Sequence, residues 1–195
     1  MGIYQFGQFA CRCVLSTFYK VKIEGEENIP KEGSVLLCSN HISNFDPPLL
    51  GAYIKRPIHY MAKQELFEKP LLNKLLTSLG AFPVKRGMGD KQALRTSIQL
   101  LRDGKVLGLF PEGTRSKDGT LGKGLAGAGF FALRSDAVII PCAVIGPYKK
   151  FNPVKMVYGE PIDFSTYREQ KINAEQATEI IMNEIQKLLV KHTSR

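Results

Sequence analysis

The chain of 195 residues has no tryptophan, only three histidines and only four cysteines. It contains no low-complexity tract and no internal repeat. No stretch reads as a membrane-spanning helix, which needs about 20 predominantly apolar residues. Acidic residues are outnumbered, 18 against 27 lysines and arginines, leaving a formal charge of +9. Each shortage excludes something. Cys11 and Cys13 are too close for an ordinary disulfide and lack neighbours for a metal site. Cys38 and Cys142 sit inside apolar runs, where cysteine acts as a small hydrophobe. That leaves reduced, non-ligand thiols, which suit the cytosolic side. The basic residues are dispersed and carry no nucleic-acid motif. The acidic partner is then an anionic membrane surface or a phosphorylated substrate.

What is present is the composition of one globular domain, with a hydrophobic fraction of 44% and enough length for a real core. The N-terminal stretch MGIYQFGQFACRCVLSTFYK has no basic start and does not read as a signal peptide. Gln5, Gln8, Arg12, Ser16 and Lys20 recur every three or four positions, so on a helix they form one narrow stripe. Ile3, Tyr4, Phe6, Phe9, Val14, Leu15 and Phe18 cover most of the rest. No acidic residue precedes Glu24. Such a helix suits a membrane interface, with packing against the domain core as the alternative. Gly2 does not open a myristoylation motif, because Phe6 stands where serine or threonine is required.

Beyond it, strand-like and helix-like segments alternate. SVLLCSN, HYMAK, AFPVKR, VLGLF, AVIIPCAVIG and KMVYGEPI read as strands. LFEKPLLNKLLTSLG, KQALRTSIQLLRD after the cap Asp90, GLAGAGFFALRS and NAEQATEIIMNEIQKLLVK read as helices. Pro141 favours an edge or irregular position for its strand. The alternation argues for a single α/β domain with a mixed, largely parallel sheet flanked by helices.

Three strand ends carry polar residues. In SNHISNFDPPLL, His41 and Asp46 are five apart, about 140° around a helix and on opposite faces of a strand. They meet only if the chain turns between them, and Ser43 and Asn44 are turn formers. Asp46 reads as the N-cap of a helix whose first turn holds Pro47 and Pro48. A carboxylate aimed at one imidazole nitrogen leaves the other to take a proton. In FPEGTRS, Glu112 and Arg115 follow an apolar strand, and Gly113 lets backbone approach a ligand. Arg115 offers a fork that matches phosphate oxygens, and Lys85 and Arg86 at the end of AFPVKR form a second basic cluster. The plain alternatives are a helix cap, a loop histidine and solvated charges.

Taken together, NHISNFD, GAFPVKR, FPEGTRS and VIIPCAV resemble, in order, the four motifs of the 1-acylglycerol-3-phosphate (lysophosphatidate) acyltransferase family of glycerolipid acyltransferases. The resemblance runs from His41 to about Val144, most of the domain. It implies acyl transfer from a thioester, acyl-CoA or acyl carrier protein, to the free hydroxyl of lysophosphatidate, giving phosphatidate for phospholipid biosynthesis. It implies His41 as general base and Asp46 as its orienting carboxylate. Lys85, Arg86, Glu112, Gly113, Thr114 and Arg115 would hold the glycerol phosphate. Lys63, in MAKQEL, would steady the oxyanion or order the pair, a surface lysine being the alternative. No metal and no cofactor beyond the thioester co-substrate is implied, and no nucleic-acid partner. The chain then divides into a membrane-associating helix over residues 1–22 and an acyltransferase domain over 23–195, peripheral or monotopic on the cytoplasmic face. Acylation of another lysophospholipid or of glycerol phosphate, or a non-catalytic membrane-binding role, are the competing readings.

Overall fold

A computed structural model describes residues 2–85 and 89–193. In chain order its main elements are α1 (Ile3–Phe18), β1 (Lys20–Glu24), β2 (Val35–Ser39), α2 (Asp46–Ala52), β3 (Ile58–Lys63), α3 (Pro70–Ser78) and β4 (Ala81–Val84). These are followed by α4 (Lys91–Arg102), β5 (Val106–Leu109), α5 (Gly127–Arg134), β6 (Val138–Ile145), β7 (Pro153–Tyr158), α6 (Ser165–Glu169) and α7 (Ala174–Thr193). The described residues form one sheet of seven strands in the order β1-β7-β6-β2-β5-β3-β4. Every neighbouring pair is parallel except β6 with β7.

β2 shows why the sheet is covered on both faces. All five of its residues are buried. Val35 and Leu37 enter a core built with Leu15 of α1 and Leu49 and Leu50 of α2. Leu36 and Cys38 enter a second core with Leu101 of α4, Phe131 of α5 and Ile181 and Ile185 of α7. Alternation sends successive side chains to opposite layers, so a strand buried on both faces reads as an unbroken apolar run.

Several elements differ from the sequence expectation for identifiable reasons. Pro141 lies in an interior strand, not at an edge. Its carbonyl accepts from the Gly159 N–H at 2.7 Å, just past the end of β7, and the next cross-link is the isolated bridge of Ile139 with Ile162. Amide and carbonyl of one strand residue point the same way, so the missing N–H falls where the β7 ladder has already stopped. The α3 helix starts only at Pro70, because proline suits a first turn and unfavourably constrains the residue before it. Lys20 is not on the N-terminal helix: α1 ends at Phe18, and Lys20 opens the edge strand β1, parallel to β7.

The α1 helix docks through polar as well as apolar side chains. Gln8 Nε2 donates to the Gly51 and Ile54 carbonyls, each at 2.9 Å. Arg12 Nε donates to the Ala52 carbonyl, and its guanidinium lies over the Tyr53 ring. Gln8 and Arg12 of the polar stripe thus cap the carboxyl end of α2, whose last carbonyls have no partner within their own helix. Only Leu15 of α1 is buried. Ile3, Phe6 and Phe9 are 65%, 64% and 58% exposed. No helix among the described residues is long and apolar enough to cross a membrane.

Candidate active site

Because β2, β3, β4, β5 and β6 are parallel to one another, their carboxyl ends share one edge of the sheet. In open α/β sheets this is where loops gather a site. Asn40, buried one residue past β2, anchors the edge: its side chain accepts from Val144 N–H at 2.7 Å and donates to the Val144 carbonyl at 2.9 Å. The next residue is His41.

The chain turns back between His41 and Asp46 and brings the two together. His41 Nδ1 lies 2.7 Å from Asp46 Oδ2. The same oxygen accepts from the Ile42 and Ser43 amides, both at 2.7 Å. The other oxygen, Oδ1, accepts from the Tyr148 hydroxyl at 2.9 Å. Asp46 is fully buried, and its two oxygens take four hydrogen-bond partners, so the polar group is satisfied despite its burial. It does not cap its own helix; it stands at the first helical position, and its side chain reaches back to the turn amides. The tautomer that donates from Nδ1 to Asp46 leaves Nε2 as the ring's acceptor. No hydrogen bond occupies that nitrogen among the described residues.

The FPEGTRS turn clasps His41 from the other side. Glu112 Oε1 accepts from the His41 N–H at 2.8 Å, and Oε2 accepts from the Gly122 N–H at 2.8 Å. The Ser116 N–H donates to the His41 carbonyl at 2.7 Å. The Phe110 ring stacks on the imidazole at 4.2 Å between centroids. Gly113 sits at φ 66°, in the left-handed region, and so turns the chain beneath Leu125. Both oxygens of Glu112 are therefore engaged with backbone, and the side chain braces the histidine. Thr114 and Arg115, at the tip of the turn, are exposed.

The other expected residues share the edge at a distance. Lys63 ends β3, two strand positions from β2, roughly 10 Å by strand spacing. Lys85 follows β4, one strand further, and its backbone N–H donates to the Asp90 cap at 2.9 Å. Both lysine side chains are exposed. Arg86 lies outside the described residues.

Two contributors were not anticipated from sequence. Phe110 opens FPEGTRS, and nothing in that motif's spacing points its ring at the imidazole. Tyr148 is 102 residues from Asp46, and no local spacing joins them. Burial, reinforced by the adjacent Asp46 carboxylate, pushes its phenol far above the ordinary range, so it stays a donor. Cys38 and Cys142 lie on the neighbouring strands β2 and β6, but burial pushes both thiols up and neither offers a thiolate.

Three comparisons bear on this geometry. The Acyltransferase family model matches residues 20–145. A 1-acyl-sn-glycerol-3-phosphate acyltransferase of Bacillus subtilis is 34% identical over 167 residues, 82% of each chain. A protein of the same description from Borreliella burgdorferi is 32% identical over 124 residues, 63% of this chain and 50% of its own. Among solved structures, the 1-acyl-sn-glycerophosphate acyltransferase of Thermotoga maritima matches with a TM-score of 0.72 at 27% identity, over 95% of this chain and 78% of that one.

Proposed function

The chain belongs to the acyltransferase family, and from that premise we propose that it moves a fatty acyl group from an acyl thioester to the sn-2 hydroxyl of 1-acylglycerol 3-phosphate, forming phosphatidate. The names of the relatives support the acceptor, and the observation that carries the chemistry is the His41 imidazole, pinned through Nδ1 to a buried carboxylate with Nε2 open. A secondary alcohol is a poor nucleophile at neutral pH. His41 Nε2 removes its proton as the oxygen attacks the thioester carbonyl. Asp46 holds the imidazole in the needed tautomer and stabilises the imidazolium, the arrangement of a serine hydrolase triad with the substrate supplying the hydroxyl. The tetrahedral intermediate collapses, the C–S bond breaks, and the imidazolium returns the proton to the departing thiolate. Every proton and electron pair is accounted for by the two substrates and this pair, so neither Ser39 nor Ser43 is given a covalent role.

Arg115 and Thr114 at the turn tip, with Lys85 after β4 and Arg86 next to it in sequence, hold the phosphate of the acceptor; guanidinium forks suit its oxygens. Glu112 and Gly113 act by setting the turn that holds His41. Lys63 steadies the oxyanion or orders the pair. The donor is acyl-CoA or an acyl carrier protein. The exposed apolar face of α1 lies in one leaflet, with the domain on the cytoplasmic side, as reduced thiols suit.

Purified protein given lysophosphatidate and oleoyl-CoA or oleoyl carrier protein should form phosphatidate and release free thiol in equal amounts. Acyl transfer to a choline-bearing lysophospholipid or to glycerol phosphate in preference to lysophosphatidate would replace the acceptor assignment. No transfer to any of them would leave a non-catalytic membrane protein.

A further inference from the structure

Exposed apolar side chains continue beyond α1 on two neighbouring segments. On α3, Leu71 is 88% exposed and Leu75 51% exposed. They are one helical turn apart, and Leu79, a further turn along, packs so closely on Gly7 of α1 that a Cβ there has no room. In the loop between β6 and β7, Phe151 is 66% exposed and sits at φ 64°, a conformation that bulky residues rarely adopt. Its N–H donates to the Phe18 carbonyl at 2.6 Å, and the Lys150 ammonium lies 5.7 Å from the Phe18 ring centre. The two segments therefore join α1 near Gly7 and at Phe18, about 16 Å apart along its axis.

Charge is segregated in the same pattern. Residues 1–23, 69–85 and 137–159 hold none of the 18 acidic residues of the chain. Lys69 and Lys74 accompany the α3 leucines, and Lys149 and Lys150 accompany Phe151. Apolar tips flanked by cations, with Glu65 and Glu68 standing before α3 rather than on it, match the boundary of an anionic leaflet, where rings and leucines reach the acyl region and ammonium groups stay with phosphates.

We propose that the Leu71–Leu75 stripe of α3 and the Phe151 tip of the β6–β7 loop are bilayer contacts, which together with α1 seat the catalytic edge on an anionic leaflet. This rests on the reading that α1 lies in the membrane. A single helix on a surface can roll about its axis, and contacts off that axis stop the roll. The Phe151 contact also fixes depth at the dyad, because Tyr148 in the same loop bonds Asp46. An acidic carrier protein would suit the lysines. A partner spanning both ends of α1 with apolar tips outermost is better matched by a plane than by one small domain.

Flotation with vesicles of phosphatidylcholine alone, and of phosphatidylcholine with phosphatidylglycerol in equal parts, tests it. The double variant Leu71→Gln/Leu75→Gln keeps good helix formers on α3 and should weaken partition to the mixed vesicles roughly tenfold. Phe151→Asn, which tolerates the left-handed backbone, should weaken it roughly threefold. Lys149→Ala/Lys150→Ala should weaken binding to the mixed vesicles alone, by at least roughly fivefold. All three should keep their thermal midpoint. Unchanged partition of the α3 and loop variants, with Phe6→Gln/Phe9→Gln released, would overturn the proposal and leave α1 as the whole seat. Retention of that α1 variant as well would mean that the underlying membrane reading had failed. Normal partition of Phe151→Asn with turnover lost only on an acyl carrier protein donor would make the loop a protein-docking surface, also overturning the proposal.

Discussion

The short helix α2 has two ends, and they are completed in opposite ways. At its amino end Asp46 brings a buried negative charge, and donors come to it from His41, Ile42, Ser43 and Tyr148. At its carboxyl end the acceptors Gly51, Ala52 and Ile54 receive donors from Gln8 and Arg12 of α1. Helix polarity favours an anion at the start and a cation at the finish, and the two ends agree with it, although the partners of Asp46 all come from outside α2. The consequences differ. The amino end uses its polar contacts to fix an imidazole. The carboxyl end uses them to dock α1 through Gln8 and Arg12, and the phenylalanines Phe6 and Phe9 remain exposed. One helix of seven residues thus links the proposed chemistry to the proposed membrane contact.

The comparison breaks most severely at the amino end. His41→Ala removes the only base the mechanism has and should cut kcat by on the order of 10³ or more, with α1 docking and vesicle binding unchanged. Asp46→Asn is more discriminating. Its oxygen can still accept from the turn amides, and its NH₂ can donate to Tyr148 if that hydroxyl rotates. The turn survives while the charge is lost. A fall of on the order of 10²–10⁴ in rate with little change in thermal midpoint is expected. Collapse of the fold instead would mean that the carboxylate serves the turn more than the imidazole.

Tyr148→Phe sharpens the same end. It leaves buried Oδ1 without its donor and should lower kcat by about tenfold while the acceptor KM holds. With less of its charge drawn off, the carboxylate stabilises the imidazolium more strongly, so the acid limb of the pH–rate profile should move to higher pH. An unmoved limb would reduce Tyr148 to packing. The phenol also marks an alkaline limit. Tyr148, Tyr60 and Tyr158 all have pKa values raised chiefly by burial, so the unfolded chain loses these protons first. Stability should be complete below about pH 10 and fall as pH rises past it, more steeply in the native protein than in Tyr148→Phe.

How much of this was legible depended on range. The His41–Asp46 turn could be read because its geometry is local: five residues, two turn formers and two prolines. The strands could be read because double burial leaves apolar runs. Tyr148 could not, since its bond to Asp46 depends on β6 lying beside β2. The position of Glu112 beside the site was legible, but its engagement was not, because one of its two donors is the amide of Gly122 from a later loop. The polar stripe of α1 was legible as far as Ser16, but not the direction it faces. That is set by bare carbonyls at the end of α2, which the sequence of α1 does not contain.

Glu112→Gln tests the brace on His41 with a smaller effect. Its carbonyl can keep one of the two backbone amides, but its NH₂ meets the other donor. A loss of about 1–3 kcal/mol in unfolding free energy is expected, with a lower kcat from a loosened His41. Unchanged stability alongside a raised acceptor KM would restore the reading of Glu112 as a substrate contact.

The smallest effects belong to the carboxyl end of α2. Gln8→Ala removes donors to two carbonyls, and Arg12→Ala removes the donor to Ala52 together with the guanidinium over Tyr53. Water can reach these partly buried carbonyls once α1 loosens, so each substitution should cost only about 1–2 kcal/mol. The loss should appear as faster amide exchange in α1, since a helix with one buried residue opens without the sheet. Turnover of a short-chain, water-soluble lysophosphatidate should stay within about twofold of the parent, as a change of this size that opens α1 leaves the Asp46 contacts intact. Long-chain acceptor in vesicles should be turned over more slowly, as the loosened helix no longer holds the edge against the leaflet. The two ends of α2 are then separable: the amino end governs chemistry on any acceptor, the carboxyl end governs access to membrane-held acceptor. A fall in soluble-acceptor kcat in Arg12→Ala that matched Asp46→Asn would break that separation, and would make α2 a lever through which α1 sets the angle of the His41–Asp46 pair.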